Sequence, residues 1–124
     1  MFGEQSMYGT STVHIDDKNR IILPKRTCAE TGDSLLIVKE DEGISIHSEQ
    51  EFEAKIKQKE EELERASSRL KKDKKRELLI LYSSILKKAT CDKQGRITLG
   101  NIMETKELEC IGTREYIILK PIKK

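Results

Sequence analysis

Apolar and polar residues alternate from Thr10 to Ile15, give way to a polar turn over Asp17 to Asn19, and return as the apolar run Ile21-Ile22-Leu23. A period of two predicts a pair of short strands around a tight turn. Pro24 then predicts the opening of a short helix through about Glu30, because a residue without an N–H suits the first helical position, and Gly32 closes it. Ser34 to Lys39 and Ile44 to His47 read as a hairpin across Glu40-Asp41-Glu42-Gly43, with Gly43 expected to supply a positive φ.

From Ser48 the period becomes helical. Ser48 and Glu51 make a capping box, and Phe52, Ile56, Leu63, Ala66 and Leu70 follow at spacings of three, four or seven. Arg69 to Arg76 interrupts that spacing, with Asp73 as a new cap, before Leu78, Leu79, Leu81, Tyr82, Ile85 and Leu86 mark a second amphipathic helix. Lys59 in the apolar seam argues for packing onto the partner helix of a helical hairpin or onto a neighbouring subunit, over an autonomous coiled coil. The basic run Arg69, Lys71, Lys72, Lys74, Lys75 and Arg76 reads as a solvated interhelical turn, although such a run can also touch phosphates.

The first pattern then returns in shortened form. Lys88 to Cys91 and Arg96 to Leu99 flank a turn over Lys93 to Gly95, Asn101 to Lys106 is the remnant of the short helix, and Glu109 to Gly112 and Tyr116 to Leu119 form a final hairpin across Thr113-Arg114-Glu115. Ile15-Asp16-Asp17-Lys18-Asn19-Arg20-Ile21-Ile22-Leu23-Pro24 is echoed 76 residues later by Cys91-Asp92-Lys93-Gln94-Gly95-Arg96-Ile97-Thr98-Leu99-Gly100. A repeated turn between strands implies two copies of one β unit.

The chemistry of the turn accounts for what is repeated. An Asp opening a tight turn accepts hydrogen bonds from the backbone just ahead of it, and Asn or Gly tolerates the positive φ needed near its end. Asn19 and Gly95 are therefore conformational equivalents, and Asp16 and Asp92 close the turns and orient Arg20 and Arg96. Each turn is a holder for one guanidinium, able to meet phosphate or a base edge. A single such match would be no more than a surface ion pair, worth about 0 to 1 kcal/mol; two at corresponding places point to a shared role.

Composition narrows the setting. The 124 residues suit one domain, so the halves are expected to share a core. Hydrophobic residues make up 35% against 37% charged, a shortage of apolar material that hints at oligomerisation. The net charge of +2 requires any anion-binding surface to be a local patch. No apolar run reaches spanning length and the N-terminus lacks a basic lead with an apolar stretch, so a cytoplasmic protein is expected. Cys28, Cys91 and Cys110 are odd in number and widely spaced, and are expected to be small core or strand residues rather than a disulfide framework or zinc site. His14 and His47 have no convergent ligand or triad pattern; no metal, cofactor, small-molecule substrate or catalytic residue is expected.

The order of two strand-turn-strand-helix-hairpin units around a helical hairpin, each with Asp-x-x-x-Arg, resembles the MraZ family of bacterial division and cell-wall cluster regulators in the SpoVT-AbrB superfamily. Met7-Tyr8-Gly9 is similar to that family's Met-Phe-x-Gly opening, and Asp92-Lys93-Gln94-Gly95-Arg96 to its usual motif. Asn19 stands where Gly is usual, and Gly100 where Pro is usual. The resemblance implies an α+β protein in which two swapped-hairpin AbrB-like β units, residues 7–50 and 88–124, form a shared barrel-like core and are joined by a helical hairpin, residues 51–87. It also implies a ring-like homo-oligomer, associated with the nucleoid, that regulates transcription by binding double-stranded promoter repeats.

Carried over by position, the DNA-binding candidates are Arg20 and Arg96 with Lys18 and Lys93 beside them, and Thr12, His14, Lys25 and Arg26 flanking the first motif. The alternative is an AbrB-like protein-interaction module, antitoxin-like or a scaffold subunit, with little specific DNA binding.

Overall fold

In the computed structural model, which describes residues 10–113 and 116–122, the chain is an α+β protein with one large antiparallel sheet, a small two-stranded ribbon and two helices. The elements run β1 (Thr10–His14), β2 (Arg20–Ile22), β3 (Ser34–Glu40), β4 (Gly43–Ser48), α1 (Glu49–Arg65), α2 (Ser68–Ser83), β5 (Ile85–Thr90), β6 (Arg96–Thr98), β7 (Glu107–Gly112) and β8 (Ile117–Pro121). The Met7-Tyr8-Gly9 opening lies outside the described residues, as do Arg114 and Glu115 of the last turn.

The strand order of the large sheet is β1-β7-β8-β4-β3-β5, and β2 pairs with β6. Exchanging β1 to β4 for β5 to β8 reproduces this order backwards, so the two halves are related by a pseudo-twofold axis between β4 and β8. The first strand of each half pairs in the other half: β1 with β7, and β5 with β3. One cluster gathers Ile15, Ile21, Leu35, Ile37, Ile44 and Ile46 with Ala89, Ile97, Leu99, Leu108, Ile117 and Leu119. Neither half encloses a core by itself.

β3 is buried on both faces. Leu35 and Ile37 join the shared core, whereas Leu36 and Val38 pack with Phe52, Ile56 and Leu78 of the helices. Ser48 caps α1 by accepting from the Glu51 N–H at 3.4 Å. β4 contributes two buried polar side chains, Ser45 and His47: Ser45 Oγ donates to the exposed Glu40 of β3 at 2.6 Å and lies 2.8 Å from His47 Nε2. Since the single hydroxyl proton goes to Glu40, His47 donates from Nε2. His47 also stacks on Tyr116 at 4.6 Å, and burial, with Lys55 nearby, lowers its pKa to about 4.

Several local expectations are corrected. Residues after Pro24 make a single turn, with the Thr27 and Cys28 N–H groups donating to the Pro24 carbonyl, and not a helix through Glu30. Asn101 to Lys106 forms no helix either. Gly43 does not have a positive φ; it faces the Leu119 carbonyl so closely that a Cβ would collide with it. The interhelical link is Ala66-Ser67, so Leu70, Asp73 and the basic run lie within α2, and Ile85 and Leu86 lie in β5. Helix propensity in Arg, Lys and Glu carries α2 straight through the charged stretch.

Cys28 and Cys91, expected to be free, form a disulfide with Cα atoms 5.8 Å apart; Cys110 is buried and unpaired in a disulfide. The pairing escaped sequence reading because 63 positions separate the two residues and only the pseudo-twofold packing makes them neighbours. No helix is long and apolar enough to cross a membrane among the described residues.

Candidate nucleic-acid interface

Each Asp-x-x-x-Arg turn is closed by its aspartate. Asp16 Oδ1 accepts from the N–H groups of Lys18 and Arg20 at 2.9 and 2.8 Å, and Oδ2 accepts from Arg20 Nε at 2.9 Å. Asp92 does the same with Gln94 N–H, Arg96 N–H and Arg96 Nε at 2.9, 2.8 and 2.8 Å. Asn19 takes φ of 60° and Gly95 φ of 76°, the left-handed conformation the turn requires. These hydrogen bonds favour the charged carboxylate: backbone donation from Arg20 and Arg96, ahead of their side-chain contacts, holds Asp16 and Asp92 below the ordinary carboxylate range.

The β2–β6 ribbon brings both turns to one place. Arg20 pairs with Thr98, Ile21 with Ile97, and Ile22 with Arg96. The Leu23 N–H donates to the Gly95 carbonyl at 3.0 Å and the Leu99 N–H to the Asn19 carbonyl at 2.7 Å, so each turn is stapled to the other. Ile21 and Ile97, each 1% exposed, point into the core. Arg20, Ile22, Arg96 and Thr98 therefore share the opposite face. Both ion pairs use the arginine Nε edge, which leaves the terminal amino end of the guanidinium as the part suited to an outside phosphate or guanine. In the second turn Gln94 Oε1 also accepts from Arg96 Nη2 at 3.1 Å.

The remaining candidates are placed unevenly. Lys18 and Lys93 are exposed in the turns, yet at different steps: Lys18 corresponds to Gln94, and Lys93 to Asp17. Lys25 and Arg26 are exposed on the single turn after Pro24. Thr12 and His14 lie on the edge strand β1, opposite Glu109 and Glu107, outside the ribbon and beside negative charge. Sequence reading passed over Ile22, Thr98 and Gln94; their signal was the outward phase at two residues after, or two before, each arginine.

Comparison with known proteins bears on this arrangement. The family described as "MraZ protein, putative antitoxin-like" matches the chain over residues 7–74. A relative from Corynebacterium jeikeium (strain K411), named "Transcriptional regulator MraZ", is 29% identical over 116 residues, spanning 89% of this chain and 77% of the relative.

Proposed function

Because this chain belongs to the MraZ family, we propose that it is a transcriptional regulator that binds repeated double-stranded DNA sites upstream of a cell division and cell wall operon, as a ring-like homo-oligomer at the nucleoid. The observation that carries the reading is the pair of aspartate-tethered arginines on one two-stranded ribbon. A preset guanidinium binds phosphate or guanine with less ordering cost than a free one, and an antiparallel ribbon fits the major groove. Residues 7–50 and 88–124 act as two SpoVT-AbrB-like units around the insert 51–87, and the exchange of first strands between halves supports a swapped-hairpin description. One ribbon offers few cations, so oligomerisation would supply affinity through effective concentration. Leu79, Ile80 and Tyr82, exposed on α2, give the chain apolar surface for such contacts.

The test is fluorescence anisotropy with DNA from upstream of the gene across a salt series. Specific binding is expected to fall linearly in log affinity against log salt, and Arg20→Ala or Arg96→Ala to weaken it roughly tenfold or more. Equal affinity for scrambled DNA at matched salt sinks the proposal. The same exposed apolar residues of α2 favour a second reading, a protein-interaction module, in which a partner held by the helices survives loss of both arginines.

A further inference from the structure

The outward face of the ribbon carries two like residues and two unlike ones. Arg20 and Arg96 are pseudo-twofold equivalents, as are Ile22 and Thr98. Ile22 is 64% exposed, lies directly across from Arg96 and follows Arg20 by one outward step. Singly exposed apolar residues are common and alone mean little. Here, however, Thr98 demonstrates that the fold accepts a hydroxyl side chain at the equivalent place, so packing gives no reason for isoleucine. The position is flanked by the two tethered arginines, where an occupant of the ribbon face would have to lie.

We infer that Ile22 is a specificity-determining residue that packs on the 5-methyl group of a thymine in the major groove, while Thr98, with one methyl beside its hydroxyl, offers the matching base of the other arm a smaller apolar contact. The inference rests on the DNA reading above. Apolar contact with the thymine methyl is the one major-groove feature that an aliphatic side chain recognises. With isoleucine in one arm and threonine in the other, a ribbon of nearly twofold backbone reads a directional site.

The test replaces each thymine of the bound upstream duplex by deoxyuridine, which keeps every hydrogen-bonding group and removes only the methyl. Affinity is measured for the full chain, Ile22→Ala and Thr98→Ile. The wild type is expected to lose about fourfold per module at one thymine, the worth of a buried methyl group, and Ile22→Ala to be indifferent to that replacement. Thr98→Ile is expected to increase the loss at a second thymine position. A flat deoxyuridine series, or equal losses in wild type and Ile22→Ala, overturns the inference while Arg20-dependent binding keeps the DNA reading intact. Absence of specific binding by the wild type overturns both. A changed oligomer mass for Ile22→Ala in light scattering would assign the residue to a contact between copies and also overturn it.

Discussion

The two Asp-x-x-x-Arg turns are closed by the same hydrogen bonds at nearly the same lengths, but the segments that follow them diverge. After the first, Pro24 accepts two backbone hydrogen bonds and Cys28 reaches across to Cys91. After the second, Gly100 takes φ of 68°, a conformation closed to the proline ring. A carboxylate that accepts three donors from the next four residues imposes its own geometry. The segments beyond have no such internal rule and take the shape their surroundings allow.

That contrast can be broken in graded ways. The largest effects are expected beneath the ribbon: Ile21→Ala and Ile97→Ala should each cost roughly 2–5 kcal/mol in urea unfolding, and by similar amounts, because the two side chains occupy equivalent buried places. A clear inequality would mean that the halves differ in packing as well as in their connecting segments. Next comes the cross-link between Cys28, in the segment after the first turn, and Cys91, just before the second. Cys28→Ser, or reduction, should lower stability by roughly 2–4 kcal/mol, since the bond closes a long loop in the unfolded chain; mass spectrometry of the unreduced protein should find the Cys28–Cys91 peptide pair.

Within the turns, Gly95→Ala should cost roughly 1–2 kcal/mol from backbone conformation alone, because nothing lies within 4 Å of the added Cβ. Asn19→Gly should change stability by less than about 0.5 kcal/mol. Opposite results would show the turns to be conformationally unequal.

Acid probes the molecule without substitution. Asp16 and Asp92 have depressed pKa values, so their contribution is present above the unfolded value near 3.8 and lost as pH falls through the lower folded values. His47 is held near 4 from an ordinary 6.5, so the unfolded chain binds its proton first and stability declines as pH falls from about 6.5 to about 4. Melting curves should therefore show two acid-sensitive windows. His47→Gln should flatten the upper one alone, and Asp92→Asn should alter only the lower.

Much of this was legible beforehand. Strand alternation placed β1, β3, β4, β7 and β8, the Ser48 capping box marked the start of α1, and Asn19 and Gly95 announced left-handed turns. Each signal is local: a period, a cap or a φ preference acts within a few residues. The errors occurred where local propensity was outvoted. Pro24 suits a helix start, yet Cys28 is drawn to Cys91 after one turn. Gly43 invited a positive-φ explanation, but the close Leu119 backbone of β8 is what excludes a side chain there.

The sequence by itself determined the repeated turn, down to which carboxylate holds which arginine, because donor and acceptor lie four residues apart on one chain. Only the tertiary structure decided that the two turns share one ribbon, that the first strand of each half pairs in the other half, and that Ile22 stands across from Arg96. Those contacts span many tens of residues. They are fixed by the need of two small, mostly polar halves to bury their few apolar side chains in a common core.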